Sequence, residues 1–250
     1  MSGSIADKPA RLVASSEPIV LSAPAARFVG RGGEKLHAAL TRFGVDVRGR
    51  RALDAGASTG GFTDCLLQAG AASVVAVDVG HGQLHQRLRE DPRVTTLERT
   101  DIRTVSLASL GDRPVDLVTA DLSFISVARV VPTLVGEVAA PGSPVIILAK
   151  PQFEAGRVEV SRGKGIIRDP VLHRRALDDV AGALVAAGAE VVGAIPSPIT
   201  GSAGNIEFLI HARTRSDAGT GGTRRHPDGS ELDDLLDAAV AEAHSGDLRR

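Results

Sequence analysis

The stretch Leu53–Thr63 reads LDAGASTGGFT. An apolar run, Ala52–Ala55, leads into it and a helical pattern, Phe62–Ala69, leads out, so Gly56, Gly60 and Gly61 occupy a tight turn between a strand and a helix. Glycines in such a turn let the backbone approach a ligand closely at the C-terminal edge of a sheet. Three ligand classes compete for it. A P-loop requires G-x-x-x-x-G-K-[ST], but Gly60 is followed by Gly61, Phe62 and Thr63, with no phosphate-binding lysine. A dinucleotide fingerprint requires G-x-G-x-x-G, and Gly56-Ala57-Ser58-Thr59-Gly60 has a different spacing. The remaining form, D-x-G-x-x-x-G, is that of a loop for S-adenosylmethionine, with Asp54 close to the cationic methionine part.

Further acidic residues extend this reading. Asp78 ends the next apolar run, VVAVDVG, where a carboxylate is placed to accept from both hydroxyls of a ribose. Asp101, in LERTDIR after the third run, is placed to accept from an adenine amino group. The candidate cofactor contacts are therefore Asp54, Gly56, Ser58, Thr59, Gly60, Gly61, Phe62, Asp78, Asp101 and Asp121.

Outward from the loop, residues 52–212 alternate. Strand-like runs fall at Ala52–Ala55, Ser73–Val77, Val94–Leu97, Asp116–Ala120, Pro144–Ala149, Ala189–Ala194 and Ile206–Ala212. Helical patterns fall at Phe62–Ala69, Gln83–Glu90, Val127–Val138 and Leu172–Ala187. Alternation of this kind predicts an α/β, doubly wound, Rossmann-like parallel sheet of seven strands, and continuous apolar strands such as VIILA predict helices on both faces. In that topology the fourth strand lies beside the first and the fifth beside the fourth, which brings Asp121, closing VTAD, next to Lys150, closing VIILAK. An ammonium at the end of a buried strand is costly unless paired. The pair reads as a structural ion pair or as a base for a hydroxyl.

Composition bounds the rest. The chain has 250 residues, 43% hydrophobic and 24% charged, with a formal net charge of −1, which fits one globular catalytic domain and excludes a uniformly basic nucleic-acid binder. One cysteine, Cys65, excludes an intramolecular disulfide and a multi-cysteine metal site, so no metal is expected. No apolar run has the length of a membrane span and the first residues lack a signal-peptide pattern, which predicts a cytoplasmic protein. The expected layout is a flexible Ser-, Ala- and Pro-rich arm over residues 1–26, the catalytic domain over 27–213, a linker over 214–230 and an acidic helical tail over 231–250. The segment Arg27–Arg51 carries a local net of +5, whereas Thr214–Arg250 carries −3 and makes a poor RNA clamp.

The ordered motifs RGGEKL (Arg31–Leu36), LDAGASTGGFTD, VDVGHGQL, LERTDIR, ADLSFIS, LAKPQFE and SAGNIEF (Ser202–Phe208) resemble the TlyA, or hemolysin A, ribosomal RNA 2′-O-methyltransferases, relatives of the FtsJ/RrmJ enzymes. The resemblance covers about residues 28–214. It implies S-adenosylmethionine as cofactor and a Lys–Asp–Lys–Glu catalytic tetrad, matched here by Lys35, Asp121, Lys150 and Glu207. On that basis Lys150 orients and deprotonates a ribose 2′-hydroxyl and Lys35 binds the substrate oxygen or a phosphate. Asp121 and Glu207 fix the two ammonium groups by charged hydrogen bonds. Arg31, Arg157, Arg162, Lys164 and Arg168 are candidate phosphate contacts.

The expected partner is RNA, ribosomal RNA or a ribosomal subunit, and neither DNA nor membrane. The family's members usually carry an N-terminal S4-like RNA-binding domain, and the expectation here is that this module is absent or supplied by a partner protein. Aromatic residues are scarce: of six Phe, with no Trp or Tyr, only Phe28, Phe124 and Phe153 are near enough to the site to stack on a base. The alternative is a small-molecule methyltransferase of the same fold. A membrane-active protein, the third class, has no amphipathic basic helix to support it.

Overall fold

A computed structural model describes residues 26–156, 161, 163, 165–216 and 229–245. The expected arm, the greater part of the expected linker, the last five residues of the tail, and Arg157, Arg162 and Lys164 lie outside the described residues.

Seven strands form one sheet: β1 (Arg51–Ala55), β2 (Ser73–Val77), β3 (Val94–Leu97), β4 (Leu117–Ala120), β5 (Pro144–Ala149), β6 (Ala189–Pro196) and β7 (Phe208–Thr214). Their order is β3-β2-β1-β4-β5-β7-β6. The helices are α1 (Gly32–Phe43), α2 (Gly61–Gln68), α3 (Gln86–Arg89), α4 (Pro151–Glu154), α5 (Pro170–Ala186) and α6 (Gly229–His244).

Alternate residues of each buried strand feed two cores. Ala52, Val74, Ala76, Leu117, Ile146 and Leu148 pack under α1 and α2 with Leu36, Phe62 and Leu66. Leu53, Val75, Val118, Val145 and Ile147 pack on the other face with Leu177 and Val180 of α5 and Leu236 and Ala239 of α6. This double coverage is why the strands read as unbroken apolar runs.

Three expectations are corrected. The sheet is mixed, not parallel throughout: β7 runs antiparallel to both β5 and β6. Only residues 197–207 join β6 to β7, and a segment that short, without a helix, closes an antiparallel pair more readily than a parallel crossover. The helix expected over Val127–Val138 is instead a 3₁₀ turn, Val127–Arg129, followed by a π-helical stretch, Pro132–Val138. Pro132 lacks an N–H and Gly136 lowers helix propensity, so a regular α-helix is not held there. The helix expected over Gln83–Glu90 is also shorter, beginning only after His85, whose Nδ1 accepts from the Arg87 N–H.

The tail helix is fastened to the domain. Arg174 of α5 pairs with Asp178 and reaches Asp233 and Asp237 of α6 at 2.6 and 2.8 Å. Fully buried His173 places Nδ1 3.0 Å from His244 Nε2 and Nε2 3.1 Å from the Ile167 carbonyl.

Candidate active site

The C-terminal ends of β1, β2 and β4 surround a cavity of about 700 Å³ lined by residues including Gly56, Ser58, Asp78, Asp101, Asp121 and Phe124. That volume lies in the range of small-molecule and cofactor sites. Gly56 has φ +87°, and a Cβ on it would lie 2.4 Å from the Asp121 backbone oxygen, so no side chain fits between the β1 and β4 ends. Asp78 is fixed at the rim by two backbone donors: Oδ2 accepts from the Ser58 N–H at 2.8 Å and Oδ1 from the Gly80 N–H at 2.6 Å. Each oxygen keeps a further lone pair for a ligand hydroxyl.

Beneath the loop, Asp54 is fully buried. Its Oδ2 accepts from Thr63 Oγ1 at 2.6 Å, and its Oδ1 has no partner. Burial is the main cause that pushes its carboxyl from 3.8 to about 7, opposed by the Thr63 hydrogen bond and reinforced by the charges of Asp121 and Asp78.

Beside the cavity lie two buried ion pairs. Lys150 Nζ is 2.5 Å from Asp121 Oδ1 and donates to Ser123 Oγ at 3.0 Å. Lys35 Nζ is 2.5 Å from Glu207 Oε2. Lys35, Lys150 and Glu207 are 7, 8 and 3% exposed, which makes both lysines sequestered charges held by a single carboxylate each. The topology brings the pairs together. Ala149 of β5 is registered opposite Phe208 of β7, so Lys150 and Glu207 are the next residues beyond that last antiparallel pair. From the other side, a Cβ on Gly32 would lie 3.6 Å from Asp121 Oδ2, so α1 starts against Asp121 and delivers Lys35 one turn later. Glycine is needed at Gly33, where a Cβ would meet Phe28 at 2.3 Å, and a Cβ on Gly32 would crowd Phe62 at 3.2 Å.

A family model for FtsJ-like methyltransferases matches residues 28–214, a span that contains both ion pairs and the whole cavity. The chain belongs to the FtsJ-like methyltransferase family. It is 45% identical over 236 residues to the 16S/23S rRNA (cytidine-2′-O)-methyltransferase TlyA of Mycobacterium tuberculosis, covering 94% of this chain and 84% of that protein. A solved structure of a hemolysin candidate from Streptococcus thermophilus matches with a TM-score of 0.76 at 38% identity, covering 88% of this chain and 76% of that one. The fold alone is shared with an S-adenosylmethionine-dependent methyltransferase from Mesorhizobium loti, at 17% identity and a TM-score of 0.51 over 70% of this chain and 96% of that one.

For this FtsJ-like chain the cavity suits the family's cofactor. Asp78 offers held acceptor oxygens for a ribose, and Val77, Ile102, Leu122 and Ile125 supply apolar wall for a flat base. Asp78 and Asp121 suit a cation, as does the unpartnered Asp54 oxygen below them.

Several expected contacts lie elsewhere. Thr59, Gly60, Gly61 and Phe62 do not line the cavity. They pack the loop against its neighbours: a Cβ on Gly61 would sit 2.9 Å from the Gly33 nitrogen, and one on Gly60 2.2 Å from Leu88. Asp54 is likewise under the cavity and not on its wall. Asp101 lines it, but Arg103 already engages both its oxygens and holds its carboxyl down at about 2. Phe28 is 5% exposed core and cannot stack on a base. Arg31 and Arg168 are exposed, and Arg31 donates to the Thr200 carbonyl at 2.5 Å. Val79, Gln83, Arg103 and Arg129 also line the cavity wall, Arg103 and Arg129 from 3₁₀ turns, and none of them is singled out by residue type in the sequence. No helix among the described residues is long and apolar enough to cross a membrane.

Proposed function

We propose that this chain methylates a ribose 2′-hydroxyl of ribosomal RNA, with Lys35, Asp121, Lys150 and Glu207 as the reacting set. The observation that carries the reading is a pair of buried Lys–carboxylate contacts at the adjacent ends of β5 and β7, one of them made by Asp121 on the cavity wall. S-adenosylmethionine, when bound, supplies an electrophilic methyl group. Asp78 and the Gly56 turn hold it, with Asp121 at the edge facing Lys150.

Methyl transfer from a sulfonium needs the attacking oxygen in line, so the chain's main task is positioning. Lys150 orients the hydroxyl and, once its own ammonium proton has passed to solvent, takes the hydroxyl's proton, and the ammonium so formed rests on the Asp121 carboxylate 2.5 Å away. Lys35, anchored by Glu207, presents its remaining N–H donors to the substrate oxygen or an adjacent phosphate. Phe124 is 92% exposed and lies 5.5 Å from the Phe153 ring, which supports a role in stacking on the target base. Arg31 and Arg168, with Arg157, Arg162 and Lys164, then take the RNA phosphates. The TlyA relative's cytidine specificity is extended here to the target nucleotide.

The test is transfer of labelled methyl from S-adenosylmethionine to ribosomal subunits, naked ribosomal RNA and a small-molecule extract. Label in RNA supports the reading, and label confined to the extract overturns it in favour of a small-molecule methyltransferase. Lys150→Ala is expected to abolish transfer while cofactor affinity stays within about threefold, because Lys150 is not on the cavity wall.

A further inference from the structure

Glu154 closes α4, the single turn that begins immediately after Lys150. It is not on the cavity wall. Its side chain reaches back across the sheet edge to the loop that follows β4: Oε2 accepts from Ser126 Oγ at 2.5 Å and Oε1 from the Val127 N–H at 2.8 Å. That loop begins with Asp121 and carries Ser123, the acceptor for Lys150, and Phe124.

Phe124 is the unusual member. Its φ is +67°, a left-handed conformation that bulky residues rarely adopt and that persists only where neighbouring contacts over-determine it. At 92% exposure its own side chain is not anchored in a core. Beyond the core packing of Leu122, Ile125 and Val127 and the hydrogen bond from the Asp121 N–H to the Ala55 carbonyl, the loop is held by one short segment: Lys150 on Ser123, Phe153 beside the Phe124 ring, and Glu154 on Ser126 and Val127. Of these, only Glu154 grips the loop backbone.

We infer that Glu154 is a positioning residue for methyl transfer, bracing the β4 loop against the segment after β5 so that Asp121, Ser123 and Phe124 keep their places around Lys150. The inference rests on the proposed roles of those residues. The brace acts at two points: one carboxylate oxygen fixes the backbone at Val127 and the other fixes the Ser126 side chain. Without it the loop keeps its core packing and the Lys150 contacts to Asp121 and Ser123 but loses the hold on the Val127 N–H and the Ser126 side chain, and a drift of about 1 Å at the reacting groups costs about a hundredfold in rate.

The test uses the full chain carrying Glu154→Ala or Glu154→Gln, with Lys150→Ala in parallel. Glutamine can still accept from the Val127 N–H through its oxygen and donate to Ser126 Oγ through its amide. Expected are a fall in kcat of about a hundredfold per folded molecule for Glu154→Ala, cofactor affinity within about threefold, and recovery by Glu154→Gln to within about fivefold of the parent. The chain has no tryptophan, so Phe124→Trp adds a lone fluorophore on the loop. Its anisotropy decay should be slow when combined with the native Glu154 or with Glu154→Gln, and should gain a fast component with Glu154→Ala. A folded Glu154→Ala protein with kcat within about twofold of the parent, or an unchanged Phe124→Trp anisotropy, would overturn the inference. An active Lys150→Ala protein would instead overturn the reading of the site, and the fluorescence readout, which needs no turnover, would then decide the brace by itself.

Discussion

Asp54→Asn should stabilise the protein by an amount that grows with pH. Asp54 is fully buried, with one oxygen on Thr63 and the other without a partner, and its carboxyl is pushed from 3.8 to about 7 chiefly by burial. Between those values the folded chain holds a proton that the unfolded chain has released, so stability falls as pH rises through the window. A displacement of about three pH units at 1.36 kcal/mol each makes the full penalty about 4 kcal/mol, complete above about pH 7. Less than half of this is already present at pH 5, and the larger part, about 2–3 kcal/mol, appears between about pH 5 and about pH 8. Asparagine is neutral throughout and keeps an oxygen for Thr63. Urea unfolding of parent and variant at the two pH values should show the variant gaining about 2–3 kcal/mol relative to the parent. A stability gap that stays constant to within about 0.5 kcal/mol would refute the reasoning, since it would mean that the folded protein carries the Asp54 charge without cost.

Other outcomes follow from the same geometry. Lys35→Met leaves Glu207 buried without its cation and should cost about 3–5 kcal/mol in urea unfolding. Adding Glu207→Gln should recover much of that stability but none of the methyl transfer, whereas an active double variant would reduce the pair to a structural ion pair. Gly56→Ala forces a Cβ to 2.4 Å from the Asp121 backbone at a left-handed φ, and titration calorimetry should show cofactor affinity lowered by more than about tenfold. Affinity within about twofold of the parent would remove Gly56 from the cofactor site.

Strands and their ends were readable because sheets covered on both faces write themselves as apolar runs: Ser73–Val77, Val94–Leu97 and Pro144–Ala149 have the same bounds in sequence and structure. The direction of β7 was less visible, since its apolar run looks the same either way. The signal was the short, helix-free connection over residues 197–207. The glycine loop announced a ligand, but spacing does not say which face of the loop meets it. Gly60 and Gly61 sit against α3 and α1, where a Cβ would meet Leu88 and Gly33, so part of the glycine pattern reflects packing. Asp101 looked free because its neighbour Arg103, two residues away, is indistinguishable in sequence from any surface arginine. The Asp121–Lys150 pair followed from strand order, whereas nothing in the spacing joins Lys35 to Glu207, 172 residues away. The brace from Glu154 needed coordinates, because its partners Ser126 and Val127 lie 28 and 27 residues away.

The central claim is that the Lys150–Asp121 and Lys35–Glu207 pairs together methylate a ribose oxygen of ribosomal RNA. The most direct measurement is mass spectrometry of nucleosides from ribosomal RNA incubated with S-adenosylmethionine and either the parent chain or Lys150→Ala. The account predicts a 2′-O-methylated nucleoside with the parent and none with Lys150→Ala. A methyl group found on a base, or a ribose methylated equally by the Lys150→Ala chain, would contradict it.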